Sequence, residues 1–237
     1  MVSVGDKPII WHLMKIYAFY GIKEFVLLLG YKGNVIREFF LNYAMQTADV
    51  TVDLSRNGPD RLSFHGTVSE PWRVTLVDTG EDAMTGARIW RARRYLDDAK
   101  YFCATYGDGL GDLDVGALLK FHEAHGRIAT LTGVFPPSRF GELNIEGSIV
   151  RAFNEKPQVL GGYINGGFFV FNREFIYSYL NDHEDLMLER EPMERLVQDN
   201  QLMVFAHSGF WQPMDTPREY RLLNELWASG KAPWKIW

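Results

Sequence analysis

Apolar positions along the chain alternate between helical and strand spacing. Ile10, Leu13, Met14, Tyr17 and Ala18 keep a 3.6-residue period behind Asp6-Lys7-Pro8, which predicts a helix capped by Asp6 with Pro8 in its first turn. Residues 25–29 form a continuous apolar run, the mark of a strand covered on both faces. Residues 33–45 return to helical spacing, with Ile36, Phe39, Phe40, Tyr43 and Ala44 on one side. Two short alternating segments, 49–54 and 61–65, flank Asn57-Gly58-Pro59-Asp60 and predict a hairpin. Residues 74–78 predict a strand, 80–86 a loop, and 85–95 a helix whose Arg88, Arg91, Arg93 and Arg94 mostly form a solvated face.

The second half repeats the theme. Residues 101–106 read as a buried strand that breaks at Gly107-Asp108-Gly109. Asp112 or Asp114 caps a helix running to His125, and residues 128–135 form a strand. Segments 143–145 and 149–153, joined by Glu146-Gly147-Ser148, predict a second hairpin. Residues 163–171 predict a strand in which Gly166-Gly167 marks a bulge or a close approach. Helices over 173–180 and 189–200, a last strand over 202–207 and a closing helix over 216–229 complete the order. Strands alternating with helices imply an α/β fold: a Rossmann-like mixed, mostly parallel sheet flanked by helices. With no repeat, low-complexity segment or linker, residues 1–237 read as a single domain. A helix this close to the amino terminus suggests that a first strand is missing.

Composition narrows the function classes. The 237 residues are 46% hydrophobic and 14% aromatic, enough for a substantial core. A net charge of -5 and the lack of any Lys/Arg-rich block argue against a nucleic-acid or membrane partner. The lone Cys103 excludes an intramolecular disulfide and a Cys-rich zinc site, and its place in an apolar strand predicts packing rather than reactivity. No apolar run reaches the roughly 20 residues needed to span a bilayer, so a cytoplasmic location is expected.

Candidate chemistry starts at Asp108. A carboxylate between glycines at the carboxyl end of a strand lies where open α/β sheets bind ligands, and it can hold a hard cation against a phosphate; Asp-Gly is also ordinary turn chemistry. Asp215, before the closing helix, is either a helix cap or a second carboxylate for the same Mg²⁺. In Glu155-Lys156-Pro157, lysine can place a point charge on a phosphate and glutamate can accept from sugar hydroxyls. Asn165-Gly166-Gly167 lets backbone approach a ligand while the amide reads hydroxyls. His122 and His125, three apart, read as a helix surface near its carboxyl end. No Ser-His-Asp order or glycine-flanked serine elbow appears, so covalent catalysis is not expected.

Taken together, several stretches resemble the sugar nucleotidyltransferases, in particular the family of glucose-1-phosphate cytidylyltransferases. They include Lys7-Pro8-Ile9-Ile10-Trp11-His12, Val77-Asp78-Thr79-Gly80, Met84-Thr85-Gly86, Thr105-Tyr106-Gly107-Asp108-Gly109, Arg139-Phe140-Gly141, Asn165-Gly166-Gly167-Phe168-Phe169 and Trp211-Gln212-Pro213-Met214-Asp215-Thr216. They span nearly the whole chain in family order. The resemblance implies Mg²⁺-dependent conversion of CTP and α-glucose 1-phosphate to CDP-glucose and pyrophosphate, for CDP-linked deoxysugars of bacterial surface polysaccharide. It implies Asp108 and Asp215 as metal ligands, with Asp108 and Lys156 catalytic. Gly107, Thr85, Gly86 and Arg88 would lie against the nucleotide, and Tyr106, Glu155, Lys156, Asn165 and Gly166 against the sugar phosphate. Homo-oligomers are common in the family.

Family members open with a strand and a loop reading Gly-Gly-Leu-Gly-Thr-Arg, followed by Lys-Pro-Lys-Pro, and Met1 aligns just after them. Loss of one comparable charge-stabilising donor costs roughly a hundred- to a thousandfold in rate, so slow transfer by these 237 residues is expected. The alternatives are a truncated paralogue acting as a binding or regulatory subunit, a nucleotidyltransferase using another nucleotide, and a glycosyltransferase using Asp112-Leu113-Asp114 as its metal motif.

Overall fold

The computed structural model describes residues 2–66, 70–136, 142–146, 149–154 and 162–237. The chain opens with a hairpin of two-residue strands, β1 (Ser3–Val4) and β2 (Lys7–Pro8), before helix α1 (Ile9–Phe19). Gly5 turns that hairpin at φ 64°, which places Asp6 in the turn. Helix α1 therefore starts behind Pro8 without a side-chain cap, correcting the expected Asp6 cap. Strand β3 (Glu24–Leu29) leads into α2 (Gly33–Leu41). Asn42, at φ -96° and ψ 8°, breaks the helix expected to reach 45, and a one-turn α3 (Tyr43–Thr47) follows. Strands β4 (Asp49–Val52) and β5 (Leu62–His65) form the expected hairpin. Strand β6 (Arg73–Asp78) pairs in parallel with β3 and feeds α4 (Thr85–Arg91), which ends in a 3₁₀ turn over Arg93–Tyr95.

Strand β7 (Tyr101–Thr105) is followed at once by a strand not foreseen, β8 (Gly109–Gly111), then by α5 (Val115–His125) and β9 (Ala129–Val134). Next come the hairpin of β10 (Glu142–Glu146) and β11 (Ile149–Asn154), strand β12 (Ile164–Asn172), and helices α6 (Glu174–Tyr179) and α7 (Glu191–Gln198). Strand β13 (Leu202–His207), the short strand β14 (Trp211–Pro213), unforeseen like β1, β2 and β8, and α8 (Pro217–Ala228) complete the chain. The main sheet has the order β13-β9-β12-β7. β13 runs parallel to β9, whereas β12 is antiparallel to both β9 and β7, so three of these strands point one way and β12 opposes them.

β12 divides the core. Alternate residues of a strand face opposite sides. Phe168 and Val170 pack with Leu13, Ile16, Leu118 and Trp234 on one side of the sheet. Phe169 and Phe171 pack with Ala87, Phe102, Phe175 and Leu196 on the other. Each fully buried Phe contributes about 1.5–3 kcal/mol of burial free energy. Cys103, against the first cluster, has its thiol pushed up to about 12 by burial, in keeping with a packing role.

Two groups of histidines are structural. His12 is fully buried: Trp234 Nε1 donates to its Nδ1 (3.4 Å) and its Nε2 donates to the Val4 carbonyl (2.9 Å), joining α1, β1 and the last residues of the chain. His122 is buried against Thr130 Oγ1 (2.8 Å) and Asn172 Oδ1 (3.1 Å), and His125 Nε2 lies 2.7 Å from the same Thr130 hydroxyl. Burial lowers the pKa of both. The pair is therefore not the solvated, cation-favouring helix surface expected, because α5 lays that face on β9 and β12.

Candidate active site

The two aspartates singled out in the sequence meet through the short ladder of β8 and β14. In it Trp211 opposes Gly111 and Pro213 opposes Gly109. One rung further, Met214 N donates to the Asp108 carbonyl (2.7 Å). Both carboxylates are exposed where the ladder ends. The Asp108 carboxyl is raised above the usual range, first by desolvation from the protein around it and then by the charge of Asp215. Asp215 is not the helix cap. Thr216 caps α8, accepting from Glu219 N (3.3 Å), while Glu219 Oε2 accepts from both Asp215 N and Thr216 N (2.9 Å each). The reciprocal cap fixes the backbone of Asp215 and leaves its carboxylate out of the helix start. Two mutually repelling carboxylates suit a hard divalent cation that takes its remaining ligands from phosphate oxygens and water. Among the described residues no group of three or more His, Cys, Asp or Glu side chains is placed to hold a metal by itself.

Beside this pair, the exit of β7 meets the bulge of β12. The β12–β9 register shifts between Asn165 and Phe169, as the paired glycines predicted. Gly167 is left-handed (φ 77°), and a Cβ there would come within 2.6 Å of the Tyr106 ring. A Cβ on Gly166 would lie 2.6 Å from Val134 Cγ1, and the Gly166 carbonyl accepts from Trp211 Nε1 (2.8 Å), tying the bulge to the aspartate ladder. Asn165 Oδ1 accepts from Gly167 N (2.8 Å) and its Nδ2 donates to the Tyr106 hydroxyl (3.3 Å). Gly107 lies in the open, with nothing within 4 Å of where a Cβ would stand. Gly107, Asp108, Asp215, Tyr106, Asn165 and Gly166 are thus one neighbourhood. Glu155 and Lys156 lie outside the described residues, as does Arg139-Phe140-Gly141.

Of the residues expected on the nucleotide side, Gly107 is open, whereas Thr85, Gly86 and Arg88 are already engaged within the protein. Gly86 N donates to the Leu186 carbonyl (2.9 Å), and a Cβ at 86 would sit 2.9 Å from that oxygen. The Thr85 hydroxyl accepts from Leu188 N (2.8 Å) and donates to Glu189 Oε2 (2.7 Å). Arg88 donates to the carbonyls of Gly80 (2.8 Å) and Glu81 (3.1 Å) and to Thr79 Oγ1 (2.9 Å), so it braces the 79–81 loop. Glu189, which sequence reasoning passed over, also accepts from the Tyr106 hydroxyl. It stands in Leu188-Glu189-Arg190-Glu191-Pro192, a run of helix-start chemistry with nothing in it to mark a link to Tyr106. The Asp-x-Asp spelling is not used as a pair. Asp114 caps α5 by accepting from Ala117 N (2.8 Å), and Asp112 Oδ1 lies 3.1 Å from His207 Nε2.

The family model described as nucleotidyl transferase matches residues 1–225. A glucose-1-phosphate cytidylyltransferase of Salmonella typhi is 51% identical over 237 residues, covering all of this chain and 90% of that protein. More distantly, a mannose-1-phosphate guanyltransferase of Gibberella zeae is 27% identical over 226 residues, covering 93% of this chain and 56% of its own length. Among solved structures, HddC from Yersinia pseudotuberculosis superposes with a TM-score of 0.65 over 96% of this chain and 88% of that one; at 20% identity the likeness speaks to the fold. The chain belongs to the nucleotidyl transferase family, and within it to the glucose-1-phosphate cytidylyltransferases.

Proposed function

We propose that the protein transfers a cytidylyl group from CTP to α-D-glucose 1-phosphate, giving CDP-glucose and pyrophosphate. In that reaction a phosphate oxygen of the sugar phosphate bonds to the α-phosphorus of CTP as the bond to the β-phosphate oxygen breaks. The acceptor is already an oxygen nucleophile, so the protein's task is alignment and charge stabilisation. The observation that carries the reading is the pairing of Asp108 with Asp215 beside the Asn165-Gly166-Gly167 bulge, in a chain 51% identical to a relative bearing that name.

Asp108 and Asp215 would hold Mg²⁺, which when bound neutralises charge on the phosphates. Asn165 and Gly166, backed by Tyr106, would receive the sugar phosphate, with Glu155 on its hydroxyls and Lys156 as a point charge on its phosphate. Gly107 leaves the approach to Asp108 open. Thr85, Gly86 and Arg88 would shape the nucleotide side through the backbone they hold in place. On this reading the substrates are cytoplasmic metabolites, so the cytoplasm is the proposed compartment, and the product suits CDP-linked deoxysugars of O-antigen lipopolysaccharide.

The test is pyrophosphate release with Mg²⁺, glucose 1-phosphate and CTP, dTTP or UTP in turn. Release with CTP well above that with the other two, lost in Asp108→Ala, is expected. Equal release with all three would overturn the cytidylyl assignment.

A further inference from the structure

One carboxylate joins the two sides of this site. Glu189 Oε2 accepts from Thr85, at the start of α4, and its Oε1 accepts from Tyr106, at the exit of β7. An ionised carboxylate has only acceptors, so both hydroxyl protons must point at Glu189. Each hydroxyl oxygen then offers a lone pair in a defined direction. The one on Thr85 takes Leu188 N (2.8 Å), and the one on Tyr106 takes Asn165 Nδ2 (3.3 Å). The same polarity reaches the bulge, where the oxygen end of the Asn165 amide accepts from Gly167 N (2.8 Å). With its amide oriented at both ends, Asn165 presents its remaining N–H and its remaining lone pair in a fixed sense. Without a pure acceptor at 189, the Tyr106 proton can turn toward Asn165 and set two donors against each other.

We infer that Glu189 is a positioning residue for the sugar phosphate, acting through the Tyr106 hydroxyl on the orientation of the Asn165 amide. The inference rests on the sugar-phosphate reading of Asn165 given above and deepens it. Glutamine is nearly isosteric with glutamate, but it brings a donor to a place that requires two acceptors. Glu189→Gln therefore keeps the packing and spoils the polarity. Loss of hydrogen bonds to a charged group of this kind weakens binding on the order of tenfold.

Titration calorimetry with glucose 1-phosphate, which needs no turnover, reads the effect. Glu189→Gln should weaken binding about tenfold in the parent chain and by less than about twofold in a Tyr106→Phe background, where no hydroxyl remains to transmit it. A thermal midpoint within a few degrees of the parent's would show the fold intact. An equal loss in both backgrounds, or no loss in the parent background, overturns the inference. Glucose 1-phosphate binding without CTP-dependent pyrophosphate release would sink the cytidylyl reading alone, and no binding by the parent chain would sink both.

Discussion

Asp108 carries a conflict between stability and use. The fold raises its carboxyl, so ionisation is disfavoured in the folded state. The sign follows: its contribution is most favourable when protonated and is lost as pH rises through the folded value. Asp108→Asn should therefore raise the thermal midpoint by about 1–3 °C at pH 7.5, with the gain shrinking toward about pH 4, while transfer activity disappears. Mg²⁺ should raise the midpoint of the parent chain and not of this variant, which a thermal-shift titration would check. A lower midpoint for Asp108→Asn at pH 7.5 would contradict the desolvation of Asp108 and, after it, the repulsion from Asp215. Gly167 is the opposite kind of residue, required for its backbone. Gly167→Ala adds left-handed strain and a Cβ 2.6 Å from the Tyr106 ring, and should cost about 1–3 kcal/mol in chemical denaturation.

Among the elements, the stretch 183–190 owes its place to α4. Gly86 N and Ala87 N both reach the Leu186 carbonyl (2.9 and 3.2 Å), while Leu186 and Leu188 fill the second core cluster. Gly86→Ala drives a Cβ to 2.9 Å from that carbonyl and to 3.0 Å from Leu186 Cγ, a side chain held in the core, so the backbone of the 183–190 stretch must give way. Hydrogen exchange at Leu188 should then quicken about tenfold or more relative to β12, whose amides stay protected; unchanged exchange would show that the docking tolerates the methyl. This link lay beyond reach of the sequence because it joins stretches far apart and uses backbone atoms that every residue has. The long elements were legible. β12 announced itself by its aromatic run and its bulge by Gly166-Gly167, and the β4–β5 and β10–β11 hairpins by their turn residues, whereas the two-residue strands of β1–β2 were too short to read. β8 and β14 were not legible either, since Gly-Leu-Gly and Trp-Gln-Pro are too short to show alternation. The buried side of His122 was hidden too, because helical spacing does not reveal which partner covers a polar residue. The loops of Asp108 and Asp215 could be picked out, although only the β8–β14 ladder shows that they meet, and the contact of Glu189 with Tyr106 had no mark in the sequence.

At the scale of the molecule, acid should act through the histidines. Burial lowers the pKa of His12, and likewise of His122 and His125, so the folded chain resists protons that the unfolded chain accepts. For a base whose folded value is depressed, stability is full above the unfolded value near 6.5 and falls as pH drops below it. Urea midpoints should be level between about pH 7 and 8 and lower at 5.5, and His12→Gln should blunt that fall; a midpoint rising between 7 and 5.5 would contradict the neutral assignment of these rings. The β8–β14 ladder has a consequence for diversification. The carboxylates that ladder aligns come from two loops distant along the chain, and the hairpin of β10 and β11 and the 183–190 stretch are threaded between them. That intervening cassette can be lengthened, shortened or exchanged while three ladder rungs keep the aspartates in register. On the metal-binding reading proposed above, one pair of carboxylates can in this way be kept in register while the segments around it change.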